Sequence, residues 1–439
     1  MSGPVSKDLV RMLFPFFLQR DEIGLRIITQ SVTKRVGTGQ EFTTIQDAID
    51  WFQGKTITTD CYIDVDAGTY TEDLVLGGVV CYNGAKLYIR GDTNTSSGYT
   101  CVVGTAGRAV PGNRLALANL GTGNTTAAVG GGGTTLTFTM STANPDFDAA
   151  GVNLSVRYYD VATGNNGTFT LVSAVNNVLT VGGADTWPAG MANLGSAICF
   201  LPNRILEGHI TMYEGAWVLQ GFVVHETSGD CITLETDGVL KLRSCFVYGS
   251  DSDGIVVAKS ARLERSYYNS IWENTSYGVR CGTTTALRFS GGADVSYIGF
   301  VDNGNTAIRA VGAVTVLAWY TMLAGGSYGV YATGSASVYC QYAVAVVAAT
   351  IGFYSARASH VDVSNGIALS CQYGYYVDIN AAMIASSCTA QGNTTGYYAC
   401  TNAYMYANST VANNNGNGTD YSPAVTNTEG NVSGIITFT

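Results

Sequence analysis

Gly329-Val330-Tyr331, Gly352-Phe353-Tyr354, Gly374-Tyr375-Tyr376 and Gly396-Tyr397-Tyr398 are four returns of one phrase, in which a small residue precedes a larger apolar one. Gly254-Ile255-Val256, Gly278-Val279-Arg280 and Ala307-Ile308-Arg309 extend the series upstream, with successive spacings of 24, 29, 22, 23, 22 and 22 residues. A second apolar pulse falls nine residues after the marker, at Leu263, Val316, Val338, Val361, Met383 and Met405. The coil that opens at Gly278 carries about six extra residues and is read as lacking this pulse. A period near 22 marks a solenoid, since no single coil can bury its apolar face without a neighbour. Leucine-rich repeats share the length, but their leucine and asparagine framework is absent. Residues alternate with period two, so the first and third positions after the marker point inward and the second points outward. The expected fold is therefore an all-β solenoid with about three short strands per coil.

Outside the repeat, Phe42-Thr43-Thr44-Ile45-Gln46-Asp47-Ala48-Ile49 is followed by Ile63-Asp64-Val65-Asp66-Ala67-Gly68-Thr69-Tyr70. Together with the coil length and the small turn residues, these phrases resemble the pectate-lyase-like right-handed parallel β-helix superfamily. Within it, the arrangement is most similar to bacteriophage tailspike and tail-fibre proteins. The resemblance spans roughly residues 36–100 and 204–425. It implies a right-handed parallel β-helix whose open end is capped by a short amphipathic helix at the first phrase, with strands around Leu87 to Gly91 starting the coils. Lyases, esterases, glycosidases and tailspikes share that scaffold, so the fold alone leaves the chemistry open.

Five segments follow. Residues 1–35 are apolar and basic: six Lys and Arg against three acidic residues give +3, which leaves −13 of the total −10 for the remainder. Such a leader is read as a virion-attachment segment, with a helix folded back on the solenoid as its alternative. Residues 36–103 hold the cap helix and first coils; Arg90-Gly91-Asp92 within them is read as a strand end and turn, not as an adhesion motif. Residues 104–203 lose the rhythm. They pass from a Gly-rich tract at 121–135 into alternating runs at 135–140, 153–159, 168–172 and 178–181, which predicts a small inserted antiparallel β-domain. Residues 204–420 form the main parallel β-helix. Residues 421–439 break the pattern and end in Ile435-Ile436-Thr437-Phe438, a strand expected to cover the open lower end, which is otherwise an aggregating edge.

The formal charge of −10 disfavours nucleic acid as a partner. The eleven cysteines show no zinc spacing, and Cys231, Cys281, Cys340, Cys371, Cys388 and Cys400 fall inside the repeat, where they read as small apolar residues of a chain folded in a reducing compartment. The apolar run from Met12 to Leu18 is too short and too interrupted for a secretory signal or a membrane span. Synthesis and assembly in the host cytoplasm are thus expected, without membrane insertion.

The candidate binding surface is the outward ladder Tyr331, Tyr354, Tyr376 and Tyr398, expected to form one exposed aromatic stripe suited to sugar rings, to a partner subunit, or to stacking that stiffens the sheet. The candidate catalytic carboxylates are Asp230 and Asp253, 23 residues apart and each preceding a coil start, amid Glu226, Glu235, Asp237 and Asp251. A glycosidase needs two such groups flanking the scissile bond, although Asp is also a common turn former. His209, His225 and His360 lie in different coils without metal-ligand spacing and read as surface residues. Arg262, Arg265, Arg280 and Arg309 lie on the solenoid without a catalytic pattern. No metal or cofactor is expected. The readings that follow are a tailspike or tail-fibre-like virion protein that recognises host surface polysaccharide, by likeness a homotrimer; a polysaccharide depolymerase, glycosidase or lyase, on the same scaffold; and a purely structural virion or capsid-decorating fibre.

Overall fold

Each circuit of the chain lays down three short strands separated by sharp corners, and each strand pairs in parallel with its equivalent one circuit later. The computed structural model describes residues 27–91, 100–102, 126–139, 155–175, 178–182, 185–188, 196–264, 269–282, 286–288, 298–400, 402–413, 421–423 and 435–437. Among them, the first sheet has 13 strands, from Thr33–Val36 to Ile435–Thr437; the second has 11, from Gly68–Thr71 to Val411–Asn413; the third has 11, from Leu74–Leu76 to Tyr421–Pro423. The chain is a parallel β-solenoid, and the third sheet carries the marker phrase.

The reason for the marker glycines is room. A Cβ on Gly329 would stand 2.5 Å from the carbonyl oxygen of Gly352, and one on Gly352 or Gly374 would stand 2.8 Å from that of the next marker. Gly254 and Gly278 face the same obstacle at 2.7 Å. The residue after each marker then turns inward: Ile255, Val279, Ile308, Val330, Phe353, Tyr375 and Tyr397 are all fully buried. The second pulse from the first sheet meets them, with Leu263, Val316, Val338, Val361, Met383 and Met405 equally buried. Burying such a side chain stabilises the fold by about 1.5–3 kcal/mol. Inside the last coils the stack becomes aromatic: Phe353 lies 5.3 Å from Tyr375, which lies 4.7 Å from Tyr397 with rings 6° from parallel. The buried Tyr375 hydroxyl is satisfied by donating to the Thr389 carbonyl at 3.1 Å.

The coil from Gly278 does have its pulse, contrary to the sequence reading. Leu287 is buried and paired between Leu263 and Val316. The additional residues come after it, so they do not disturb the nine-residue step.

Corners are made by left-handed backbone more than by glycine. Tyr320, Tyr342, Asn365, Ser387 and Ser409 all have φ between 51° and 60° at equivalent places between the first and second sheets. Asp302, Gly325, Val347, Ser370 and Gly392 repeat the device between the second and third. Buried polar side chains supply partners to backbone groups at some of the corners. Asn274 donates to Asn303 Oδ1 at 2.8 Å while accepting from the Ser250 amide, and Asn303 donates to the Ile271 carbonyl.

The upper end is closed by the helix Ile45–Phe52, whose buried face is Ile45, Ala48, Ile49 and Phe52. Thr44 caps its first turn, and the Glu72 carboxylate accepts from the amides of Ile45 and Gln46 at 2.8 and 2.9 Å. At the other end, the last described strands stay within the sheets. Tyr421–Pro423 and Ile435–Thr437 extend the third and first sheets by a further parallel rung. Of Arg90-Gly91-Asp92, Arg90 closes the strand Leu87–Arg90 and pairs with Asp64 at 2.7 Å, whereas Asp92 and the leader through residue 26 lie outside the described residues.

The inserted sheet is antiparallel, running in spatial order Thr126–Gly130, Thr135–Thr139, Val178–Val181, Asn166–Val175, Ser155–Tyr159, Ala197–Leu201 and Thr100–Val102. It leaves after Leu87–Arg90 of the first sheet and returns at Arg204–Glu207 of the second, so it replaces one corner of one coil. Tyr159, Ala197, Cys199 and Leu201 pack on Val223, Phe246, Trp272 and Val301 of the second sheet's outer face. Arg157 reinforces this with a two-pronged bond to Glu273 at 2.8 and 2.9 Å, and the Tyr159 hydroxyl donates to Asp302.

The Gly352→Ala variant tests the crowding at the markers. It is expected to lose about 1–3 kcal/mol in denaturant unfolding, as overpacking does. Gly229→Ala, where nothing lies within 4 Å of the new atom, should change stability by less than about 0.5 kcal/mol.

Candidate functional site

Strand register decides what the third sheet shows to solvent. The second position after each marker pairs along the ladder as Val256, Arg280, Arg309, Tyr331, Tyr354, Tyr376 and Tyr398. The four tyrosines are brought into one column, with adjacent ring centroids 5.1, 5.1 and 4.8 Å apart. They are half-buried, not fully exposed as expected, because a second set fills in beside them. Tyr328 touches Tyr331 and Tyr354, and Tyr373 touches Tyr376 and Tyr398. Those two tyrosines sit three residues before the column, just ahead of the marker, and the three-residue phrase excludes them. Most contacts are edge-to-face, the geometry that ring quadrupoles favour.

Burial pushes the Tyr354 and Tyr376 hydroxyls well above the usual phenol range. They stay neutral donors and acceptors at every physiological pH. The Tyr376 hydroxyl lies 3.5 Å from the Cys400 sulfur, whose thiol donates to Asp378 at 2.8 Å. At the upper end of the column the aromatic faces give way to guanidinium groups, Arg309 and then Arg280.

Asp230 and Asp253 lie on adjacent coils, and their oxygens have structural work. Asp230 Oδ1 accepts from the Asp253 amide at 3.0 Å. The Asp253 carboxylate, 2% exposed, accepts from Arg280 Nε at 2.5 Å. Burial raises the Asp253 pKa, against the opposing pull of Arg280. The pair thus joins two successive corners and links them to the first arginine of the column.

A separate cleft of about 540 Å³ opens at the corner between the second and third sheets, lined by Thr71, Glu72, Asp73, Glu207, His225 and Glu226 among others. Glu72 is committed to the cap helix, and Asp73 accepts from the His209 amide at 2.9 Å. Glu226 accepts from the amides of Thr227 and Ser228 and from the Ser228 hydroxyl; burial works to raise its pKa, but these bonds prevail and lower it. Glu207 is exposed and pairs with His225 in the ladder. The His225 ring stacks on Tyr248 at 4.6 Å and 17°. The sequence placed Glu226 in an acidic region but missed Glu207 and His225, since only register brings residues 71, 207 and 225 together. His209 reaches the Asp230 carbonyl, and His360 lies 5.9 Å from the Tyr339 ring. The repeat cysteines of the sequence reading, Cys231, Cys281, Cys340, Cys371, Cys388 and Cys400, are all buried, as is Cys245, and burial pushes Cys231, Cys245, Cys281, Cys340, Cys371 and Cys388 up, Cys371 to about 12.

No protein family and no curated protein sequence matches the chain. Among solved structures, it is similar to the tailspike gp61 of Pseudomonas phage phi297, at 10% identity and a TM-score of 0.26 over 93% of this chain and 70% of that one. It is similar to the tailspike gp49 of Pseudomonas phage LKA1, at 10% identity and a TM-score of 0.21 over 93% and 74%. The gp54 tailspike of Acinetobacter baumannii bacteriophage AP22, solved with A. baumannii capsular saccharide, gives 10% identity and 0.20 over 85% and 72%. Likeness at these scores leaves the fold resting on the strand ladders themselves.

Burial is the largest influence on His225 and lowers its pKa, while the charges of Glu207 and Glu226 oppose it. A depressed base contributes stability that is present above its unfolded value and lost as pH falls through the folded one. In an NMR titration, the His225 ring should have its midpoint below the ordinary 6.5, and Glu207→Gln should lower it further. A midpoint above that value contradicts the assignment.

Proposed function

We propose that this chain recognises a host-surface polysaccharide along the outer face of its third sheet and serves on a virion as a tailspike-like protein. The observation that carries the reading is the column of Tyr331, Tyr354, Tyr376 and Tyr398, widened by Tyr328 and Tyr373. Rows of aromatic edges and faces, each with a hydroxyl, suit the apolar faces and hydroxyl rims of sugar rings. The coil repeat sets these contacts about 4.8 Å apart, so one bound ring can follow another down the sheet. The virion placement rests on the sequence resemblance, with attachment through residues 1–35 and a homotrimer as parts of the same proposal.

The acidic cleft favours a second reading, a depolymerase. Glu226 is held ionised and Glu207 faces solvent beside His225. Two carboxylates on one rim are what glycoside hydrolysis uses. In this reading Glu207 and Glu226 join Asp230 and Asp253 as candidates. The Asp253 carboxylate is the least accessible of the four, because Arg280 and the protein interior enclose it.

Incubation of the purified chain with surface polysaccharides from candidate hosts, followed by retention and polymer-length measurements, tests both readings. Retention without shortening is expected. Tyr354→Ala and Tyr376→Ala should each weaken it about two- to tenfold, the range for losing one aromatic contact. Shortened polymer would establish the depolymerase, and Glu207→Gln or Glu226→Gln should then abolish it. Failure to retain any polymer would leave a purely structural fibre.

A further inference from the structure

The tyrosine column ends at an arginine that has no carboxylate partner among the described residues. Arg280 is paired with Asp253, but Arg309, the next rung towards the tyrosines, has no carboxylate within ion-pairing distance among the described residues. It is nevertheless held in place. Its guanidinium lies 4.6 Å from the centroid of the Tyr277 ring, and Nη1 donates to the Tyr277 hydroxyl. Among the described residues, a cation–π contact and one hydrogen bond hold the group, and most of its five donors have no other partner. The strand register puts Arg309 directly beside Tyr331.

From this juxtaposition we infer that the polysaccharide carries carboxylate sugars, and that Arg309 receives the carboxylate of a ring whose neighbours lie on Tyr331 and Tyr354. The inference rests on the proposal that this face binds glycan, and it names the class of glycan. A planar guanidinium recognises a carboxylate through two parallel bonds, which a neutral hydroxyl cannot reproduce. The net charge of −10 works against loose attraction of polyanions. Recognition therefore depends on one local, oriented contact in a register with the aromatic rungs. Tyr277 acts through Arg309 as a positioning residue.

The test uses the full chain on an array of bacterial surface polysaccharides with and without uronic acids, each acidic polymer also presented after chemical reduction of its carboxyl groups. Native protein should bind acid-bearing polymers and lose them on carboxyl reduction. Arg309→Gln should weaken binding roughly ten- to a hundredfold, the range for a lost charge-assisted hydrogen bond. Arg309→Lys should recover only part of it, with unfolding midpoints unchanged in both. Equal binding of neutral and reduced polymers, unaffected by Arg309→Gln, overturns the inference while sparing the glycan-binding reading. No binding to any polymer sinks both readings, and a change of oligomeric state on Arg309→Gln or Tyr354→Ala sinks both and makes this face a contact between copies of the chain.

Discussion

The rest of this structure depends on how closely successive coils approach at the marker position. An added Cβ at Gly329, Gly352 or Gly374 would lie 2.5–2.8 Å from the next marker's carbonyl, nearer than any carbon normally comes to an oxygen. Glycine there admits the close stack, and the stack fixes the register of the third sheet. Because side chains alternate with period two, a slip of one residue would send every core residue of that strand to solvent. The same register that buries Val330, Phe353, Tyr375 and Tyr397 therefore places Tyr331, Tyr354, Tyr376 and Tyr398 in a single outward column. Core and candidate binding face are two sides of one constraint.

A stack of coils must also turn three corners per circuit and supply partners to backbone groups that the corners bury. The left-handed residues at the corners and the buried chain from Ser250 through Asn274 to Asn303 do this from one coil to the next. The inserted domain uses the second sheet for a different purpose. Its Tyr159 and Leu201 cover Phe246 and Trp272, while the Arg157 and Glu273 pair orients the contact. The outer face of the third sheet meets solvent with a regular array of side chains.

The solenoid was legible because two signals agree in the sequence: a marker near every 22 residues and an apolar pulse nine residues later. Where the spacing lengthened after Leu287, the change hid a pulse that is present. The corners were harder to read, since Tyr342, Asn365 and Ser387 adopt the same backbone with unrelated side chains. The tyrosine column followed from alternation, whereas Tyr328 and Tyr373 precede the glycine and belong to the platform only through their ring contacts. The cleft at Glu207 and His225 was out of reach for another reason. Its walls come from residues 71, 207 and 225, and the insertion between the first two breaks the count that would align them. Asp230 and Asp253 were legible as stacked neighbours, but nothing in sequence spacing indicates that Arg280 closes over one of them.

The central claim is that the register of the third sheet builds a sugar-binding track. A crystal structure of the full chain with an oligosaccharide released from a bound host polysaccharide tests it most directly. The account predicts consecutive sugar rings lying along Tyr331, Tyr354, Tyr376 and Tyr398. Sugar seated in the cleft between Glu207 and Glu226, or on the inserted domain with the tyrosine column bare, would contradict it.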